Sequence, residues 1–250
     1  QIVSVDGQPP HPILSFQGKS NSKVAVTVAV RRRAQDPPIT LTIAPRSIDP
    51  RDEWLQHQRE GARRILEQGK SIAYVPMFCC AGPMFEDLLK EQLTGPLAGA
   101  DALVLDFRDG WGGCNPGFVN LFNTMPPILT SRPRDGNAVV LDQQWRKPVV
   151  ILINEGTRSG KEVVAFALKR HQRARLVGRR TAGAVLAGAP IPLSDGSLLL
   201  LAVADVLVDG QRLEGVGVEP DLIIEDRPRF AEGSDYQRDA AVKEAARLAA

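Results

Sequence analysis

Apolar and polar residues alternate from position 23 to 30, where Val24, Val26, Val28 and Val30 share one face ahead of Arg31-Arg32-Arg33. A period of two is that of a half-buried strand. Ile39, Leu41 and Ile43 repeat it before Pro45, and Gln35-Asp36-Pro37-Pro38 in between is turn chemistry. Together with Ile2-Val3-Ser4-Val5 running into Asp6-Gly7, these runs predict a small β-rich module over residues 1–49. Asp49 and the acidic pair Asp52-Glu53 start a helix, and Trp54, Ile65 and Leu66 among polar neighbours carry it on, so residues 50–70 read as a linker helix.

The pattern then changes to apolar runs separated by helical stretches. Strands are expected at residues 72–78, 102–107, 149–153 and 174–177, with helices at 85–93 and 162–171 between them. Such alternation predicts an α/β layer architecture with crossover connections over residues 71–230. Further strands are expected at 198–203 and 222–224, and Ala240, Ala241, Ala245 and Leu248 mark a C-terminal helix over residues 231–250.

Composition narrows the function classes. With 31 Lys plus Arg against 29 Asp plus Glu, the chain is too evenly charged for nucleic acid to be its main partner. The longest unbroken apolar run, residues 198–204, is far shorter than the roughly 20 residues that cross a bilayer, so no transmembrane segment is expected. Cys79, Cys80 and Cys114 are odd in number and lack metal-type spacing; they read as small core residues rather than a disulfide framework, and no metal or cofactor is expected. The sequence opens inside a strand pattern, from which we expect a piece of a longer precursor.

Two glycine-containing loops carry candidate chemistry. Arg108-Asp109-Gly110-Trp111-Gly112-Gly113 follows the strand at 102–107, and glycine lets backbone amides approach a ligand, as an oxyanion hole requires. Taken alone, three glycines in a loop are usually just a turn. Between the strand at 149–153 and the next helix runs Asn154-Glu155-Gly156-Thr157-Arg158-Ser159-Gly160-Lys161-Glu162, where a serine on a sharp strand-to-helix turn can present its hydroxyl beside the next residue's N–H. Taken alone, Ser159 or Thr157 is more often merely a helix cap.

The order of these loops resembles the C-terminal processing, or tail-specific, serine peptidases. Their Arg-Asn-Asn-Pro-Gly-Gly loop corresponds to residues 108–113, and their Ser-Ala-Ser-Glu turn to Ser159-Gly160-Lys161-Glu162. Their Val-Gly-Glu-x-Thr-x-Gly segment corresponds to Val177-Gly178-Arg179-Arg180-Thr181-Ala182-Gly183. Asp195-Gly196-Ser197 and Gly217-Val218-Glu219-Pro220-Asp221 complete the series. The resemblance implies a ClpP/crotonase-like layered core of strand-turn-helix units, preceded by residues 1–49 as the second half of a PDZ-like module. It implies a serine endopeptidase acting through an acyl-enzyme on a protein or peptide substrate, with Ser159 as nucleophile and the amides of Gly113 and Gly160 as oxyanion donors. An extracytoplasmic location, periplasmic or secreted, follows from the resemblance alone; assembly stays open, a homo-oligomer included.

One family feature is missing. Where the family reads Thr-Phe-Gly-Lys and uses the lysine as base, this chain reads Thr181-Ala182-Gly183-Ala184. On a helical wheel Lys161 points about 200° away from Ser159, which predicts an exposed first-turn lysine. Lys169 and His171 lie too far along the same helix, and His11 lies in a Pro-rich turn. The related tricorn-like peptidases pair serine with histidine and an acid, which nominates His57 as base and Glu219 or Glu214 as its orienter. The rival readings are an inactive peptide-binding scaffold of the same fold and an acyl-thioester enzyme of the crotonase type.

Overall fold

The computed structural model describes residues 1–12, 14–20, 24–134, 136–142, 144–226 and 233–250. Two compact units are distinguished: Gln1–Glu53 with Asp226–Tyr236, and Trp54–Glu225 with Gln237–Ala250. In the first unit, β1 (Ile2–Val5), β2 (Val26–Val30) and β3 (Ile39–Ile43) form an antiparallel sheet in that order. Val5, Val26 and Val28 make its small core, with Phe16 and Val30 against them. The expected strand at 23–30 is seen from Val26 onward, and Lys23 lies outside the described residues.

Helix α1 (Pro50–Gly61) stops short of the predicted end. Residues 63–67, expected to be helical, are instead β4 (Arg63–Glu67), paired antiparallel with β5 (Lys70–Pro76). The cause is the turn: Gln68 and Gly69 have φ of 49° and 76°, the left-handed pair of a two-residue hairpin, which no helix accommodates. Gly61 marks the break, because a Cβ there would lie 2.5 Å from the Pro76 ring.

The second unit continues with α2 (Pro83–Thr94), β6 (Ala102–Asp106), a 3₁₀ helix at Pro116–Phe122, and the hairpin of β7 (Leu129–Ser131) with β8 (Val139–Leu141). Then come β9 (Val149–Ile153), α3 (Gly160–Arg170) and β10 (Arg175–Gly178). Two more hairpins follow, β11 (Ala187–Pro192) with β12 (Leu198–Ala204) and β13 (Leu207–Val208) with β14 (Gln211–Arg212). The chain ends in β15 (Leu222–Ile223) and α4 (Tyr236–Leu248); the predicted start of that helix at 231–232 lies outside the described residues.

The central sheet has the order β15-β10-β9-β6-β5-β4 and is parallel except for edge strand β4. Strands β6 and β9 are buried throughout because both faces of the sheet are covered. One face packs Val75, Leu105 and Ile151 against Phe85 and Leu89 of α2 and Val164 and Leu168 of α3. The other packs Ile72, Val104, Val150 and Val177 against Ala241, Val242 and Ala245 of α4. This is the layered α/β core expected from the alternation of elements. Among the described residues no helix is long and apolar enough to cross a membrane.

Candidate active site

Strands β6 and β9 are parallel neighbours, with Leu105 beside Ile151 and Asp106 beside Leu152. The loops that leave their C-terminal ends therefore emerge side by side. Asn154 joins them: its side-chain oxygen accepts from the amides of Asp109 and Gly156, at 3.0 Å each, and its NH₂ donates to the Asp109 carboxylate at 3.1 Å. Buried Thr157 adds a second tie by donating its hydroxyl to the Phe107 carbonyl at 2.9 Å.

Glycine is required where the loops touch. A Cβ on Gly112 would stand 2.6 Å from the Cβ of Ser159 and 3.2 Å from the amide nitrogen of Gly160, and one on Gly160 would stand 2.5 Å from the amide nitrogen of Cys114. Residues 108–113 and 157–160, far apart in sequence, thus meet in direct backbone contact, bringing Ser159, Gly160 and Gly113 to one place. The amide of Gly160, the first of α3, has no intrahelical acceptor and is available to a ligand, whereas the Glu162 amide donates to the Ser159 carbonyl at 2.8 Å.

Ser159 has φ 59° and ψ −131°, a conformation that L side chains rarely adopt. The surroundings impose it. The Ser159 amide donates to the Ala184 carbonyl at 2.9 Å and to the Glu162 carboxylate at 3.0 Å. Fully buried Glu162 also accepts from the amides of Gly183 and Ala184, at 2.7 and 2.9 Å, and from the Thr181 hydroxyl at 2.5 Å. The Thr181-to-Ala184 segment is thereby fastened beside the serine, and a methyl group stands at Ala184 where the resembling family carries its lysine.

Lys161 is not the exposed lysine predicted. It is 0 % exposed, and its ammonium donates to the carbonyls of Asp109, Phe78 and Phe107 at 2.9, 3.1 and 3.4 Å. A helical wheel does not describe this pair, because Ser159 precedes the helix and is turned into left-handed space, so the two residues do not share a regular 100° step. Burial pushes the Lys161 ammonium down to about 8, against the opposing pull of Asp106, Cys79 and Asp109.

A second correction concerns the cysteines. Cys80 and Cys114 form a disulfide, leaving Cys79 buried and free. The bond joins the loop after β5 to the residue following Gly113, and the Cys80 amide also donates to the Gly112 carbonyl at 3.2 Å. Parallel pairing of β5 with β6 brings the two loops together, a proximity that cysteine spacing alone does not reveal.

His57 is exposed on α1, with its ring edge-on to Phe78 at a centroid distance of 5.5 Å. It lines a cavity of about 260 Å³ with Asp106, Arg108 and Asp109, residues at the start of the glycine loop. Glu219 is also exposed; its carboxylate lies 3.8 Å from Arg180, and its carbonyl accepts from Lys169 at 2.6 Å. Among the described residues no contact joins Glu219 to His57, or His57 to Ser159. The Glu214 carboxylate accepts from the amides of Val185 and Leu186. Among the described residues no group of three or more His, Cys, Asp or Glu is gathered as a metal site.

The sequence model of peptidase family S41 matches residues 72–224, which include both glycine loops, Ser159 and Ala184 but not His57. The chain belongs to peptidase family S41. Similar proteins include a carboxyl-terminal-processing protease of Synechocystis sp., 25% identical over 239 residues that cover 90% of this chain and 54% of that protein. A carboxy-terminal-processing protease of Bartonella bacilliformis is 29% identical over 231 residues, covering 85% of this chain and 53% of the relative. The chain thus spans about half the length of these curated relatives. Among solved structures, the tricorn protease superposes with a TM-score of 0.56 at 20% identity, covering 97% of this chain and 24% of that one, which shows a shared fold.

Proposed function

We propose that the protein is a serine endopeptidase that cleaves peptide bonds of protein substrates through an acyl-enzyme, in the manner its C-terminal processing relatives are named for. The observation that carries this reading is the contact of two glycine loops around Ser159. In the proposed reaction the Ser159 hydroxyl attacks the scissile carbonyl and gives up its proton to a base. The tetrahedral oxyanion takes hydrogen bonds from the amides of Gly113 and Gly160, and its collapse expels the amine and leaves an ester on Ser159, which water then hydrolyses.

For the base, this reading keeps His57, whose cavity is lined by the start of the glycine loop. Of the other histidines, His11 belongs to the first unit and His171 caps the far end of α3. Glu219 is the proposed orienter, though its described partners are Arg180 and Lys169, so its role is tested apart from that of His57. Residues 1–49 are the second half of a PDZ-like module in this reading. An extracytoplasmic location agrees with the Cys80–Cys114 disulfide, since such bonds persist in oxidising compartments.

Ser159→Ala should abolish hydrolysis of a flexible protein substrate and labelling by a fluorophosphonate, while the thermal transition stays cooperative. His57→Ala should slow labelling, with Glu219→Gln reporting separately on the orienter. The methyl group of Ala184 favours a second reading, a peptide-binding scaffold that has lost its base. That reading gains if the wild-type chain does not label; retained turnover in Ser159→Ala would remove Ser159 from the chemistry.

A further inference from the structure

Among the described residues Lys161 is the one buried cation beside the candidate site, and the resembling Ser-Ala-Ser-Glu turn has a serine in its place. An ammonium has three N–H donors and no acceptor. Here all three face main-chain carbonyls, those of Phe78, Phe107 and Asp109. As long as it is protonated, a nitrogen so occupied has no lone pair for the Ser159 proton, so below about pH 8 it acts as a donor and not as a base.

The three acceptors are well placed to fix the oxyanion loop. Asp109 belongs to the glycine loop, and Phe107 links that loop to the end of β6. Phe78 belongs to the loop after β5, and its carbonyl also accepts from the Trp111 amide at 2.7 Å. The fit is close enough that a Cβ on Gly110 would lie 2.1 Å from the Phe78 oxygen. One ammonium therefore ties both loops to the first turn of α3, two residues after the serine. Glu162 does the same for the opposite flank through Gly183 and Ala184.

We propose that Lys161 is a positioning residue of the oxyanion hole, its ammonium holding the turn at residues 109–113 against the turn at 159–160 and placing a positive charge in the wall of the site. This rests on the serine-peptidase reading. The groups facing the ammonium are Asp106, Asp109 and Cys79 from the neighbouring segments and Arg158 from its own loop. Its loss of a proton above about pH 8 removes the charge and one of its three donors. The same event does not weaken the fold: the folded value of about 8 lies below the ordinary 10.5, so between these values the unfolded chain binds more protons and this group's contribution to stability rises with pH. Site function and stability thus move in opposite directions, which a merely structural lysine would not produce.

The test compares the full chain with Lys161→Met and Lys161→Gln by fluorophosphonate labelling rate, amide hydrogen exchange at residues 108–114 and thermal unfolding. Labelling should fall about 100-fold in Lys161→Met, with Lys161→Gln between it and wild type, because the loss is that of a disturbed oxyanion donor. Exchange at residues 108–114 should quicken in Lys161→Met. Wild-type labelling should decline above about pH 8, a limb absent from both variants. Unchanged labelling in Lys161→Met, unchanged exchange at 108–114, or an alkaline limb that survives the substitution overturns the proposal. If Lys161→Met does not fold, Lys161→Gln and the wild-type exchange at about pH 7 and about pH 9.5 decide it. A wild-type chain that never labels defeats the peptidase reading, while hydrogen exchange still answers whether Lys161 holds the turn.

Discussion

Ser159 is held at φ 59° and ψ −131°, and the strain has a cost that a substitution can reveal. A non-glycine residue in such a region carries of order 1–3 kcal/mol, which glycine escapes. Ser159→Gly and Ser159→Ala both remove the hydroxyl, so both should be inactive. Ser159→Gly should nevertheless unfold at higher denaturant than Ser159→Ala, by about 1 kcal/mol after glycine's greater entropy in the unfolded chain is offset. Equal stability of the two would mean that the turn is not imposed by the Ala184 carbonyl and the Glu162 carboxylate. The sequence marks this serine through its neighbours, a buried strand before it and Gly160 after it. It does not mark Lys161, because the position of a side chain two residues on depends on the dihedral angles of Ser159 itself, and those are set by Glu162 and by Ala184 far downstream.

Elements with both flanks fixed by local chemistry are legible in the sequence, and those decided by a partner strand are not. Strands β6 and β9 are continuous apolar runs, α2 lies between Gly82-Pro83 and Gly95, and α3 begins at Gly160 and ends in the polar run His171-Gln172-Arg173, so each is predictable within a few residues. Strand β4 differs from the helix expected there because Ile65 and Leu66 fit either period, and the deciding feature is the left-handed pair at Gln68 and Gly69. Helix α4 shows the opposite case: its alanines suggested a helix, and the structure adds why they are small. Ala241 and Ala245 are fully buried against Ile72, Val104 and Val150, so the helix lies close on the sheet. Ala245→Leu should overpack that layer and lower stability by about 1–3 kcal/mol in denaturant titrations. A polar substitution at exposed Lys243 on the same helix should leave it unchanged. A neutral Ala245→Leu would show that α4 is only loosely docked.

At the scale of the molecule, the layered core follows from the order of strands and helices, whereas the covalent link across it depends on register. Once β5 and β6 pair in parallel, with Pro76 beside Asp106, the loops beyond them run together and bring Cys80 to Cys114, a closure of 34 residues that encloses α2, β6 and the glycine loop. In the chain-entropy account a loop of this length stabilises by about 4 kcal/mol. Reduction, or the double substitution Cys80→Ala with Cys114→Ala, should therefore lower the melting temperature by about 10 °C for a chain of this size. Thiol titration of the unfolded protein should find only Cys79 before reduction and all three cysteines after it. Because Cys114 adjoins Gly113, fluorophosphonate labelling of the reduced protein should slow even well below its melting temperature, and reductant should have no effect on the double variant. Three titratable thiols in the protein as isolated would contradict the bond; an unchanged labelling rate after complete reduction would mean that the Asn154, Thr157 and Lys161 hydrogen bonds suffice to hold the glycine loop in place.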